Sequence, residues 1–95
     1  MKPVRYTHIF SNREFIRQYK RVNVRIKKLV DRKLQIFRKN PLERGLNNHP
    51  LRDAWVGYRS IDITADYRAI YREVREGREF NAYFVALGTH AELYG

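Results

Sequence analysis

The sequence predicts an α+β domain of order β-α-α-β-β-β, with a basic helical hairpin covering one face of a small, mostly antiparallel, twisted sheet. Three observations predict it. Ninety-five residues suffice for one core and no second. Charge is segregated: residues 1–45 hold fourteen Lys and Arg against three acids, and residues 46–95 hold six against seven. The apolar pattern changes at the same place. Spacings of three and four in the first half give way to alternating runs rich in Tyr, Ile, Val and Phe in the second. No repeat, low-complexity tract or Gly/Ser linker interrupts the chain, so residues 1–95 read as a single domain.

The elements follow in order. Val4–Phe10 alternates loosely and reads as a short strand. Ser11-Asn12-Arg13-Glu14 has capping-box spacing, and Phe10 and Phe15 are placed to staple the helix start. A helix from Asn12 to Arg21 follows, with Phe15, Ile16 and Tyr19 on one side. Asn23 is placed to cap a longer helix whose apolar stripe is Ile26, Leu29, Val30, Ile36 and Phe37, widened by Leu34 and the stem of Lys33. Asn40-Pro41 stops it, because the residue before proline is pushed out of the α region. So short a connection implies an antiparallel hairpin. Ala54–Thr64 reads as a strand whose parity slips at Arg59-Ser60, which predicts a bulge or bend there. Tyr67–Val74 and Phe80–Leu87 read as two more strands joined at Glu76-Gly77-Arg78, the second apolar on both parities and therefore central.

Composition bounds the function. The net charge of +10 attracts a polyanion. Arg21, Arg25, Lys27, Lys28, Arg32 and Lys39 are the expected RNA-binding residues of the helical face. With no cysteine, disulfides, thiolate zinc sites and thiol nucleophiles are excluded, which suits a reducing cytoplasm. No apolar run is long enough to span a membrane, and the N-terminus lacks a signal-peptide core, so the expected location is cytoplasmic. GxGxxG, Walker, HExxH, calcium-loop and GxSxG motifs are absent, so neither a metal nor an organic cofactor is expected.

A polar set remains in the second half: His49, Arg59, Asp62, Asp66, Arg68, His90 and Tyr94. His49 lies in a loop leading into the sheet, Asp66 at a turn, Arg68 at the start of the next strand, and His90 after the last one. Antiparallel strands would let the loops at 47–50 and 88–94 converge on the sheet face opposite the cationic helices. Two imidazoles, a carboxylate and a guanidinium suit metal-free cleavage of a phosphodiester. One group takes the proton of an attacking 2′-hydroxyl, another returns one to the leaving 5′-oxygen, and a cation meets the growing phosphate charge. Plainer roles compete. Asp66 could serve an Asx turn, Arg68 could pair across strands with Asp62 or Glu73, and Arg59 leans structural by its parity. Trp55 and Tyr58 read as core, and His8 lies apart from the set.

The stretches His49-Pro50-Leu51, Trp55-Val56-Gly57-Tyr58-Arg59, Asp66-Tyr67, Ile70-Tyr71 and Gly88-Thr89-His90-Ala91-Glu92-Leu93-Tyr94-Gly95 resemble the RelE/ParE superfamily of toxins. Within it they look most like the YafQ branch of ribosome-dependent mRNA interferases. The resemblance covers nearly the whole chain and implies a single RelE-like domain. It also implies metal-free cleavage of mRNA in the ribosomal A site, leaving 2′,3′-cyclic phosphate and 5′-hydroxyl ends. The implied partners are the ribosome, mRNA and an acidic antitoxin, commonly of ribbon-helix-helix type, with operator DNA bound only through the antitoxin complex. Carried over by position, His49, Asp66, His90 and Tyr94 match functional residues of the YafQ branch, and Arg68 matches an active-site arginine of RelE proper. Three positions depart: Asp62 stands where a histidine is expected, Tyr67 where a tryptophan is, and Ala86 where an arginine is. Two other readings stay open, a ParE-like inhibitor of DNA gyrase and a catalytically degenerate module that binds antitoxin or nucleic acid.

Overall fold

Two asparagine caps set the helical hairpin. In the computed structural model, which describes residues 5–95, Asn12 accepts from the Phe15 amide at 2.8 Å and starts α1 (Arg13–Arg21). Asn23 accepts from the Ile26 amide at 3.0 Å and starts α2 (Val24–Lys39). The second cap is the one expected; the first is shifted by one residue. Ser11 is instead the last residue of β1 (Ile9–Ser11), paired with Phe84, and Glu14 turns to Arg17 rather than back to the cap. The expected staple fails for the same reason. Strand parity sends Phe10 to the far face, where it stacks on Tyr83 with centroids 4.9 Å apart, while Phe15 enters the core against Phe84. The strand expected over Val4–Phe10 is shorter and later, and Val4 lies outside the described residues.

The sheet has the order β1-β5-β4-β3-β2, with β2 (His49–Pro50), β3 (Arg59–Asp62), β4 (Tyr67–Glu76) and β5 (Glu79–Thr89) antiparallel and β1 parallel to β5. Glu76 pairs with Glu79 across a two-residue turn in which Gly77 takes φ +63°, a conformation that a side chain would disfavour. One face of the sheet meets the hairpin. Ile61, Ala69, Tyr71, Ala82 and Phe84 from the strands pack on Phe15, Ile26, Val30 and Phe37 from the helices. Phe37 is at the centre, edge-on to Tyr71 and Phe84 and stacked on Tyr6. Side chains alternate along a strand, so Arg68, Ile70 and Arg72 project from the opposite face to Ala69 and Tyr71. The hairpin thus lies on one face of the sheet, as the sequence predicts.

The strand expected over Ala54–Thr64 is mostly something else. Asp53–Trp55 forms a 3₁₀ turn, Gly57 adopts φ +93°, and only Arg59–Asp62 joins the sheet. The parity slip therefore marks a turn running into a strand, and β3 pairs with β4 without a bulge. The irregularity lies between β4 and β5. Ile70 faces Ala86 and Tyr71 faces Phe84, which leaves Val85 unopposed. Beyond it the Leu87 amide donates to Gln18 of α1 at 2.7 Å.

A third helix, unforeseen from the sequence, closes the chain: α3 (His90–Tyr94). Its start is a full capping box, with the Glu92 amide donating to the Thr89 hydroxyl at 3.2 Å and the Thr89 amide to the Glu92 carboxylate at 2.8 Å. The Thr89 backbone N–H, and after it the hydroxyl, hold the Glu92 carboxyl below its usual range, against a smaller opposing effect of burial.

Two outcomes test these caps. Asn12→Ala should cost about 1 kcal/mol in urea unfolding and Ser11→Ala less than about 0.5 kcal/mol; equal losses would contradict the cap. A carboxyl with a depressed folded pKa stabilises above the ordinary carboxylate range and stops doing so as pH falls through its folded value. The Thr89 amide shift should therefore titrate below the ordinary value of about 4.3, and Glu92→Gln should abolish that titration.

Candidate functional site

One cleft on the face opposite the helices gathers most of the polar set. Its volume is about 470 Å³, and it is lined by His49, Arg68, His90 and Tyr94 together with Asn47, Leu51, Arg52 and Asp53. Each side chain arrives from a different segment, and each segment has a local reason for its course.

His49 follows a turn in which Asn47 holds a left-handed conformation, φ 48° and ψ 47°, tolerated by asparagine better than by most residues. This carries the Asn47 carbonyl to within 2.8 Å of His49 Nδ1. A carbonyl only accepts, so Nδ1 bears the hydrogen and Nε2 of the neutral ring is a free acceptor. His49 is not simply in a loop: with Pro50 it forms β2, facing Ser60. The neighbouring Asn48 anchors the turn from below, donating to the Pro41 carbonyl and to the Tyr71 hydroxyl, each at 2.8 Å.

Arg68 stands between Asp62 on β3 and Gly88 on β5 by register. Its guanidinium is paired with the Asp62 carboxylate, the cross-strand partner foreseen as its plainer role. The other Asp62 oxygen accepts from the Asn47 side-chain amide at 3.2 Å. Asn47 therefore touches the imidazole through its carbonyl and the carboxylate–guanidinium pair through its side chain. Asp62 is reached through Arg68 and Asn47 and does not itself line the cleft.

His90 and Tyr94 lie on α3, four residues apart and so on one side of a helix. Their rings meet with centroids 4.7 Å apart and planes tilted by 59°. Asp66 stands behind the cleft. Its carbonyl accepts from the His90 amide at 3.1 Å, and its carboxylate lies 3.4 Å from the same nitrogen. Asp66 therefore fixes where the helix begins.

The remaining expected residues lie elsewhere. Arg59 is half-buried and donates to Asn48 at 2.9 Å, a supporting role. Tyr67 shares the parity of Ala69 and packs on the helical side, against the core and away from the cleft. Ala86 is buried opposite Ile70 and brings no charge. Arg21, Arg25, Lys28, Arg32 and Lys39 are exposed and Lys27 is half-buried, all on the hairpin. Trp55 and Tyr58 pack edge to face, and His8 pairs with Glu79 far along β5. Among the described residues no group of three His, Asp or Glu is arranged to hold a metal ion, and no helix is long and apolar enough to cross a membrane.

Sequence reasoning missed Asn47, Arg52 and Asp53. The Asn47-Asn48 pair is a turn signal that could have singled out the first; Arg52 and Asp53 precede the misread strand and carry no motif.

Comparison with known proteins identifies the fold and the family. Residues 6–95 match the family model for the bacterial toxin of type II toxin-antitoxin systems, YafQ. The fold superposes on YafQ from Escherichia coli strain BL21(DE3) with a TM-score of 0.65 and 26% identity, covering 92% of this chain and 97% of that one. The YafQ of the Escherichia coli DinJ–YafQ complex gives a TM-score of 0.62 and 27% identity, with 92% and 97% covered. A YoeB/ParE toxin from Agrobacterium tumefaciens shares the fold at a TM-score of 0.71 and 21% identity, with 88% and 99% covered. No curated protein sequence matches the chain. The match to the family model spans the site as well as the scaffold, and the chain belongs to the YafQ family of type II toxin–antitoxin toxins.

Proposed function

We propose that this toxin is a ribosome-dependent mRNA endonuclease that cleaves codons in the A site by general acid–base chemistry. The observation that carries the reading is the single cleft in which His49, His90, Arg68 and Tyr94 meet. In the proposed reaction one imidazole takes the proton of a ribose 2′-hydroxyl and the 2′-oxygen bonds to phosphorus. The P–O5′ bond breaks, and the other imidazole, protonated, gives its proton to the departing 5′-oxygen. The products are a 2′,3′-cyclic phosphate and a 5′-hydroxyl, and no metal takes part. His49, with Nε2 free, suits the proton-accepting step.

Arg68 offers the phosphate the part of its guanidinium not engaged by Asp62, and Asp62 acts through it. Tyr94 gives a codon base a ring to stack on. Asp66 positions His90 from behind and takes no proton. The exposed cations of the hairpin, from Arg21 to Lys39, would dock on ribosomal RNA on the opposite side, which leaves the cleft free for the codon. The proposed partners are the ribosome, mRNA and an acidic antitoxin, with operator DNA engaged through the antitoxin complex and the cytoplasm as the site of action.

The test is primer extension on a programmed ribosome. Wild-type protein should give a stop within the A-site codon. His90→Ala and His49→Ala should each slow cleavage about 10²- to 10⁴-fold while the proteins stay folded. Raising salt from 50 to 200 mM should weaken ribosome binding steeply, because neutralised phosphates release counterions. Full activity in His90→Ala would remove that residue from the mechanism. Broken DNA beside intact mRNA in induced cells would replace the reading with gyrase inhibition.

A further inference from the structure

The 51–58 excursion between β2 and β3 builds one wall of the cleft, and the chemistry so far does not use it. Its turn is fixed. The Arg52 carbonyl accepts from the Trp55 amide and the Asp53 carbonyl from the Val56 amide, each at 3.1 Å. Asp53 holds φ +55°, a left-handed conformation that aspartate, like asparagine, tolerates better than most residues. The Trp55 indole N–H donates to the Leu93 carbonyl at 3.1 Å and so fastens the turn to α3, the helix that carries His90 and Tyr94. The Arg52 backbone is thereby held in a set position relative to both, and its exposed side chain is left free to meet a ligand.

Charge then separates the two arginines of the cleft. Arg68 is paired with Asp62, and that pair brings almost no net charge. Arg52 makes no ion pair and no side-chain hydrogen bond among the described residues. Asp53 beside it is also unpaired among the described residues and offers an anion no donor, so of the two only Arg52, with its whole fork free, can hold one. A phosphodiester that gains charge as it is attacked needs a cation not already neutralised.

We infer that Arg52 is a further catalytic residue, binding a non-bridging oxygen of the scissile phosphodiester through a guanidinium that no carboxylate holds. The inference rests on the reading of the cleft as RNA-cleaving. It is tested by single-turnover cleavage on programmed ribosomes with Arg52→Gln and Arg52→Lys. Arg52 is exposed, so neither variant disturbs the core. Arg52→Gln should cleave about 10²-fold more slowly, with Arg52→Lys between it and wild type, since lysine keeps the charge and loses the fork. Sulfur in place of a non-bridging oxygen at the scissile phosphate should slow wild type and slow Arg52→Gln less. That second readout would not move if Arg52 served only the turn. Arg52→Gln cleaving within about twofold of wild type, or showing an undiminished sulfur effect, overturns the assignment and leaves the proposed function standing. Wild-type protein that leaves the mRNA intact overturns both.

Discussion

The register of β4 decides where the chemistry can be. Arg68 faces Asp62 on one side and Gly88 on the other, and its immediate neighbour Ala69 faces Ile61 and Leu87 in the core. A slip of one residue would turn the guanidinium into the apolar layer and Ala69 into the cleft. What forbids it is the aromatic packing one step along. Tyr71 is fully buried between Phe37 and Phe84, and no smaller or charged side chain could take that place without leaving a cavity or an unpaired charge. The hydrophobic core therefore fixes the position of a residue on the other side of the sheet.

The same tyrosine reaches the cleft by a second route. Its hydroxyl accepts from Asn48, whose side-chain Oδ1 accepts from Arg59, and it meets the Tyr6 hydroxyl at 3.0 Å. Tyr6 in turn donates to Glu73 at 2.7 Å. Burial first, then the bonds to Tyr71 and Glu73, push the Tyr6 phenol well above its ordinary value, so it remains a donor throughout the working range. This chain of polar groups ties the Asn47–His49 turn to the centre of the sheet, and it explains how a two-residue strand at an edge presents a fixed imidazole. Flexibility in that turn would cost the His49 ring its orientation.

Much of this was legible in the sequence, and the failures are instructive. The hairpin, its second cap and the convergence of residues 49, 68, 90 and 94 follow from spacing, charge and the family motifs; the place of the Phe80–Leu87 strand does not, since β4 and not β5 is the centre of the five-stranded sheet. The S/T-x-x-E pattern occurs at Ser11–Glu14, where strand pairing with Phe84 claims Ser11 and Asn12 takes the cap. It occurs again at Thr89–Glu92, where it is fully formed and builds the helix that holds His90. Local pattern cannot say whether a serine is already committed to a sheet. The 54–58 run misled for a related reason: an Ala, a Val and a Tyr at alternate positions mimic a strand, while the turn depends on Gly57 and on the long-range bond from Trp55 to Leu93. Asn47 escaped notice because one part of its role lies in a backbone carbonyl, which every residue has, and the other in a bond to Asp62, fifteen residues away in sequence.

In the proposed function the two halves of the molecule divide the work along the charge distribution. Cations on α1 and α2 would give affinity for a polyanion, and the nearly neutral sheet half holds a small cleft whose electrostatics are set by individual pairs. Its central claim is that both imidazoles address one ligand. Long-range proton–nitrogen spectra of the His49 and His90 rings, recorded while a codon-length RNA with 2′-deoxyribose at the scissile position is added, measure this directly. The account predicts that both rings shift together with one dissociation constant while His49 Nδ1 stays protonated. Movement of one ring alone, with the other unaffected at saturation, would contradict it.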